Sequence, residues 1–286
     1  MTVLQAINQG AEYLAARQID SPRLQSELLL AHVLGLPRLR LYLDFERELT
    51  AAQGARLEKL VHQRAKRVPL QHLTGATSFC GQPILVSGAV LVPRPETETL
   101  AEAAWMFLNQ LDRPSTFVDL GTGSACIPIA IAVHAAESRG VAVDISPEAL
   151  ALARQNLKNT DLESRIELRQ GNLLDALQPA ERFDAIVSNP PYIPTSEIEL
   201  LEPEVRDHDP RLALDGGPDG LDFYRALAER ASQFLQPGGR LLVEFGDGQR
   251  DPLLDIFLRH GWEIHEVIAD LSKKPRLLVT SRPKAC

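Results

Sequence analysis

From residue 115 onward, short apolar and β-branched runs alternate with helical stretches, and few folds accommodate that order. The runs are "TFVDLG", "VAVDIS", "IELRQGN", "FDAIVSN", "RLLVEFG", "WEIHEVIA" and "RLLVT", with stretches such as "SPEALALARQNLKN" between the early ones. Strand–helix–strand succession implies βαβ units, hence an α/β domain with a mainly parallel sheet covered on both faces. Open parallel sheets bind ligands at the carboxyl ends of their strands. The chemistry of this chain is therefore expected in the segments that leave those ends.

Two such segments stand out. "VDLGTGSAC" follows the first run: Val118 and Leu120 read as buried, and Gly121 and Gly123 let the backbone turn close to a ligand. The helix that follows Ser124 would aim its free N–H groups at a carboxylate or phosphate. Pro128 is compatible with that helix only in its first turn. Asp144 ends the second run, where a carboxylate can accept both hydroxyls of a ribose. The loop suits a nicotinamide dinucleotide or S-adenosylmethionine. The dinucleotide pattern wants a third glycine where this chain has Cys126, so Gly-x-Gly-x-small, ending on Ala125, fits adenosylmethionine better.

The second segment is "SNPPYIP", residues 188 to 194, straight after the buried run Phe183, Ala185, Ile186, Val187. Prolines cannot continue a central strand, so Pro190 and Pro191 make a rigid corner with the Asn189 amide before it and the Tyr192 phenol after it. Beside a sulfonium methyl, that corner matches a planar NH2 group. The Asn189 side-chain carbonyl and the Pro190 backbone carbonyl can each accept one N–H, and Tyr192 can stack on the planar face. Two such acceptors return electron density to an amide nitrogen and stabilise the charge that develops on it.

Upstream, residues 1–72 are helical in pattern. Leu4, Ile7, Ala11 and Leu14 form one stripe; Ser21-Pro22 reads as a cap opening a second helix with Leu24, Leu28 and Ala31; Thr50 opens a third with Leu57, Leu60 and Val61. "HQRAKR" (62–67) reads as a solvated basic face. Residues 73–93, containing "TSFCGQPILVSGAVLVP", read as a linking β-hairpin with turns at Gly81-Gln82-Pro83 and Ser87-Gly88. "RPETETLAEAAWMFLNQL" then opens the third region, 94–286, with a proline- and acid-led helix.

Composition narrows the partners. No apolar run is long enough for a membrane span, and the N-terminus lacks signal-peptide character. Cys80, Cys126 and Cys286 include no CxxC, which supports neither a disulfide framework nor a zinc site and is consistent with a reducing cytoplasm. A net charge of −8 makes the chain as a whole no electrostatic trap for nucleic acid.

The Asn-Pro-Pro-Tyr tetrapeptide resembles motif IV of amino-group methyltransferases, which include adenine-N6 and protein-glutamine enzymes. Six blocks in order, "DSPRLQSELLLAHVLG", "RVPLQHLTG", "LVPRPETE", "DLGTGSA", "VSNPPYIP" and "ALDGGPDGL", resemble the N5-glutamine methyltransferases of peptide-chain release factors across nearly the whole chain. The resemblance implies a class I, Rossmann-like, seven-stranded methyltransferase domain behind a small all-α substrate-recognition bundle. It implies S-adenosyl-L-methionine as cofactor and the glutamine of a Gly-Gly-Gln loop in class I release factors as substrate; charge and composition add the expectation of a cytoplasmic protein with no direct nucleic-acid or membrane partner, and a monomer is expected. Carried over, Gly121, Thr122, Gly123, Ser124 and Ala125 line the methionine part of the cofactor and Asp144 holds the ribose. Asn172 and Leu173 border the adenine, Asn189, Pro190, Pro191 and Tyr192 hold the substrate amide, and Pro93 to Glu96 wall the pocket or serve the fold. The chain departs from the family at Ala125, where glycine is usual, and at Leu173, where some members carry an aromatic.

Two other readings compete. An adenine-N6 methyltransferase would want a basic, aromatic-lined groove, against an acidic chain with 5% aromatic residues. A non-catalytic adaptor would have lost Asn189 or Asp144, and both are present.

Overall fold

The computed structural model describes residues 1–270 and 272–282. In chain order the elements are α1 (Val3–Ala15), α2 (Pro22–Leu34), α3 (Ala51–Ala65), α4 (Leu70–Thr74), β1 (Ala76–Phe79), β2 (Gln82–Leu85), α5 (Glu98–Leu108), β3 (Thr116–Leu120), α6 (Cys126–His134), β4 (Arg139–Asp144), α7 (Pro147–Asn159), β5 (Ile166–Gln170), β6 (Phe183–Ser188), α8 (Pro203–Arg206), α9 (Asp222–Arg230), β7 (Leu235–Glu244), α10 (Arg250–Arg259), β8 (Glu263–Ala269) and β9 (Pro275–Ser281). They form two compact units. One holds Met1–Ala76 together with Glu202–His208, and the other holds Thr77–Leu201 and the chain from Asp209.

In the helical unit, Val3, Ile7 and Leu14 of α1 meet Leu29 and Leu30 of α2 and Leu57 and Val61 of α3. Thr50 caps α3 as its sequence suggests, through a reciprocal bond pair with Gln53. Ser21 does not cap α2: it sits in left-handed backbone with no side-chain bond, and Pro22 alone marks the start. The buried stripe of α2 is also rotated from the expected one. Leu24 is exposed, while Ser26 and Glu27 are buried. Polar partners permit this, because Ser26 donates to the Ile7 carbonyl at 2.9 Å, and Glu27 accepts from Arg38, Tyr42 and Arg23. Gly10 makes room for that bond, since a Cβ there would lie 2.4 Å from the Ser26 hydroxyl.

The basic run 62–67 is not a plain solvated face. Arg64 is buried and donates to Glu204 at 2.8 Å, and Arg67 donates to the same carboxylate at 3.2 Å. Those two bonds bring the short segment around α8 into the helical unit.

The second unit is built on a seven-stranded sheet of order β5-β4-β3-β6-β7-β9-β8, parallel except for β9, which is antiparallel to both neighbours. Every run read as a strand is one, and the α/β architecture is as expected. Side chains alternate across β3: Phe117 joins the core under α5 and α6, and Val118 and Leu120 join the core under α9 and α10. Fully burying one such aliphatic side chain stabilises by about 1.5–3 kcal/mol, and each face carries many. The β1–β2 hairpin turns on Cys80 and Gly81, both at positive φ. This is the backbone that a two-residue hairpin loop requires, and it leaves Gln82 and Pro83 in β2 rather than in the turn. Among the described residues, no helix is long and apolar enough to cross a membrane.

Candidate active site

The strand order reverses between β3 and its neighbours β4 and β6, and one cavity opens at the carboxyl ends there, lined by residues from the loops after β3, β4, β5 and β6. After β3, Gly121 and Gly123 take φ +77° and +53°, values that glycine adopts without a Cβ penalty. Ala125 then takes φ +63° as the cap of α6. Pro128 is the third residue of α6, inside its first turn. The amides of Gly121 and Thr122 donate to Val143 O, that of Gly123 to Asp144 Oδ2 at 2.8 Å, and that of Ala125 to Thr122 O. The loop has therefore spent most of its own donors, and any attraction for an anionic group falls to the start of α6, where Cys126 and Ile127 line the cavity.

Asp144 closes β4 and braces that loop. Its second oxygen accepts from Ser146 N–H at 2.9 Å, and the Ser146 hydroxyl caps α7. An ionised carboxylate has about four acceptor sites, so two remain for a diol. Asn156 of α7 supports the loop from behind. Its amide donates to Ser124 O at 2.9 Å and exchanges bonds with the Leu85 backbone in both directions. A lone asparagine in an amphipathic helix gave no hint of that role.

After β6, Asn189, Pro190 and Pro191 all line the cavity. The Asn189 Nδ2 donates to Thr97 Oγ1 at 3.1 Å, so its Oδ1 is the end left to accept. Thr97 stands at the N-cap position of α5 without a side-chain cap bond, and is itself buried. Tyr192 is not a cavity wall. Its ring lies so close to Gly246 that a Cβ there would meet it at 2.8 Å, and burial raises the phenol's pKa. Gln249 fastens this corner: Nε2 donates to Tyr192 O at 2.8 Å and to Gly220 O at 3.2 Å, and Oε1 accepts from Gly246 N–H at 2.9 Å.

Of the segment 93–96, Pro93 and Arg94 reach the cavity, whereas Pro95 and Glu96 are exposed elsewhere. Arg94 pairs with Asp209 at 2.9 Å. Asn172 and Leu173 are both wall residues, and Leu173 stands at φ +47°. Both departures from the family pattern, Ala125 and Leu173, thus sit in left-handed backbone. Ile145, 46% exposed at the cavity's edge, went unmarked in the sequence because an isoleucine ending a strand reads as core.

The residues fit S-adenosylmethionine on a further observation. Among the described residues, Asp119, fully buried on β3, has no hydrogen-bond partner on either carboxylate oxygen, and neither has the Thr122 hydroxyl. Asp119 is flanked in the sheet by Ala142 and Val187. Burial pushes its pKa from 3.8 to about 7, with the Asp144 charge adding to the rise and the nearby Thr122 hydroxyl opposing it. A buried acid beneath the glycine loop favours a cation above that loop, a charge that the ammonium of a methionine moiety would bring. The carboxylate of Asp144 and the apolar walls Ile145 and Leu173 suit a nucleoside.

The chain is similar to known proteins over nearly its whole length. Residues 5–75 match the model of the PrmC N-terminal domain, and residues 97–202 match that of the methyltransferase small domain. A release factor glutamine methyltransferase of Geobacter sulfurreducens is 42% identical over 261 residues, covering 91% of this chain and 90% of its own. Proteins of the same description from Koribacter versatilis and Moorella thermoacetica are each 40% identical, over 99% of both chains.

Proposed function

This chain belongs to the release factor glutamine methyltransferase family, and on that premise we propose that it methylates the side-chain amide nitrogen (N5) of the glutamine in the Gly-Gly-Gln loop of class I peptide-chain release factors. It is a methyltransferase, and its methyl donor is S-adenosyl-L-methionine. The observation that carries the substrate reading is the Asn189–Thr97 bond, which engages the Asn189 NH2 and leaves its oxygen to accept.

Bound S-adenosyl-L-methionine supplies a methyl group on a sulfonium, already electrophilic. What remains for the protein is to make an amide nitrogen attack it. Asn189 Oδ1 accepts one hydrogen of the substrate NH2, and the Pro190 carbonyl accepts the other. Both acceptors are fixed before reaction, so they stabilise the positive charge on nitrogen without reorganising. The proline corner, anchored through Tyr192 O by Gln249, holds the nitrogen in line with the methyl. Such positioning supplies up to about 7–11 kcal/mol of the barrier. No strong base is needed, because the nitrogen proton becomes acidic only as the methyl arrives, and water can take it. Gly121 to Ser124 hold the methionine part with Ala125 behind them, Asp144 takes the ribose hydroxyls, and Asn172 and Leu173 border the adenine.

The proposal extends to the rest of the chain. The helical region 1–72 recognises the release factor, the hairpin region 73–93 links it to the methyltransferase region 94–286, and the enzyme works as a cytoplasmic monomer on protein rather than nucleic acid. The test is incubation with labelled donor and either a class I release factor, the same factor with glutamate at the loop glutamine, or duplex DNA. One methyl group on the glutamine-bearing peptide alone is expected; label in DNA, or in the glutamate form, overturns the reading.

A further inference from the structure

Glu244 takes no part in the steps above, yet it stands beside them. It ends β7 with 4% of its surface exposed, one residue beyond the Ser188–Val243 pair, which puts it next to Asn189 across the parallel ladder. Its Oε2 has no hydrogen-bond partner among the described residues. From the helix above, Thr97 reaches the same spot, holding the Asn189 amide at 3.1 Å. Burial pushes the Glu244 pKa from 4.5 to about 7; the Thr97 and Asn189 side chains beside it and the Arg276 charge from β9 oppose the rise, and Glu96 from the turn before α5 adds to it. The phenols of Tyr192 and Tyr224 face it as well.

A hydroxyl has one proton to give, and that limits how these three groups can be wired. An ionised Glu244 only accepts, so the Thr97 proton goes to it. Thr97 Oγ1 is then an acceptor, it takes the Asn189 NH2, and Asn189 Oδ1 is turned to the cavity. A protonated Glu244 can instead donate to Thr97, which frees the Thr97 proton for Asn189 Oδ1. The amide then turns over and offers NH2 to the substrate NH2, donor against donor.

We propose that Glu244 is a positioning residue: acting through Thr97, it sets which end of the Asn189 amide faces the substrate, and so makes the site select a side-chain amide over a carboxylate. This rests on the reading of Asn189 as an acceptor for the substrate amide. It requires no bond to be made or broken at Glu244 during methyl transfer, only that the carboxylate be ionised beforehand.

Glu244→Gln tests it, because a glutamine there can either donate or accept and no longer dictates the wiring. With cofactor saturating and the intact release factor as substrate, single-turnover transfer is followed between pH 6 and 8.5. The wild-type rate should fall as pH drops through about 7. In Glu244→Gln it should be lower by about tenfold and lack that acid limb, while donor affinity by calorimetry stays within about twofold. Binding of the release factor should also lose most of its preference for glutamine over glutamate in the loop, a preference that a merely structural residue does not set. Should Glu244→Gln fold poorly, Thr97→Val breaks the same chain from its middle and should show the same loss of preference. A variant of either kind that keeps the wild-type rate, acid limb and preference overturns the proposal. A wild type that leaves the release factor unmethylated overturns the substrate reading itself, and is told apart because the wild type then fails alongside the variants.

Discussion

The two loops that frame the cavity reach rigidity by opposite routes. The glycine loop after β3 satisfies itself: its amides bond to Val143, Asp144 and Thr122, and its shape comes from positive φ angles at Gly121, Gly123 and Ala125. The proline corner after β6 has no such internal ladder. Pro190 and Pro191 bring no N–H, so the corner is held by side chains sent from elsewhere, Thr97 from the start of α5 and Gln249 from the start of α10. The first loop is built to let a ligand close to backbone. On the proposed reading, the second presents the Asn189 side-chain oxygen and the Pro190 carbonyl to the substrate amide. Damage to the first should therefore appear in donor binding, and damage to the second in the rate of transfer.

The largest effect expected is at Asn189. Asn189→Ala removes one preorganised acceptor and should lower the single-turnover rate by about 10² to 10³, or roughly 2.7–4 kcal/mol, with donor affinity little changed. Calorimetry and rate measured on the same preparation check this. A wild-type rate in the variant would make the corner a structural turn and dissolve the contrast between the loops.

Next is Gln249→Met, which keeps volume but strands the Tyr192 and Gly220 carbonyls and the Gly246 N–H. Each buried group left unpaired costs about 1–3 kcal/mol. Partial rehydration of these loops should hold the total near the size of one or two such groups. Thermal unfolding should show the loss of stability, and the transfer rate should fall more than donor affinity. Were donor affinity to fall instead, the corner and the glycine loop would not be independent devices.

How far these devices were legible in the sequence differs in an instructive way. The seven strands and both loops were readable because each is a contiguous pattern: apolar runs, Gly-x-Gly, Asn-Pro-Pro-Tyr. The supports of the corner were not. Thr97, Gln249 and Glu244 come from three distant segments and meet Asn189 and Tyr192 only through the sheet order and the placement of α5 and α10. The buried Ser26 and Glu27 of α2 misled the helical stripe for the same reason, since their partners other than Arg23 lie 11 to 19 residues away. Segment 202–208 belongs to the helical unit, where Glu204 meets Arg64 and Arg67, and seven residues carry no periodicity that could announce it. Patterns along the chain were visible; pairings across it were not.

On the glycine-loop side, Asp144→Ala should weaken donor binding by about 1.5–3 kcal/mol, the range for hydrogen bonds to a charged group. Because the same carboxylate holds Gly123 and Ser146 N–H, the variant should also lose stability without ligand. Asp144→Asn keeps one acceptor and should fall between. Calorimetry that finds unchanged affinity in a folded Asp144→Ala removes this residue from the ribose site.

The smallest effect is expected at Ala125, and its sign depends on three terms. A left-handed alanine carries about 1–2 kcal/mol of strain. Changing it to glycine releases that strain, but gives the unfolded chain back about 0.4–1 kcal/mol of entropy and removes a methyl, worth about 0.8 kcal/mol, from a fully buried site. The sum lies within about 1 kcal/mol of zero, a Tm change of at most about 2–4 °C for a unit of this size. Ala125→Gly should thus be close to silent in stability, and silent in transfer rate because the proline corner is untouched. Ala125→Val separates the explanations. A β-branched residue at φ +63° is a genuine outlier, and buried beneath the loop it has no room to relax, so it should cost stability and donor affinity well beyond the glycine variant. If valine is tolerated as well as alanine, the loop after β3 does not take its shape from left-handed backbone, and the contrast with the proline corner loses its first half.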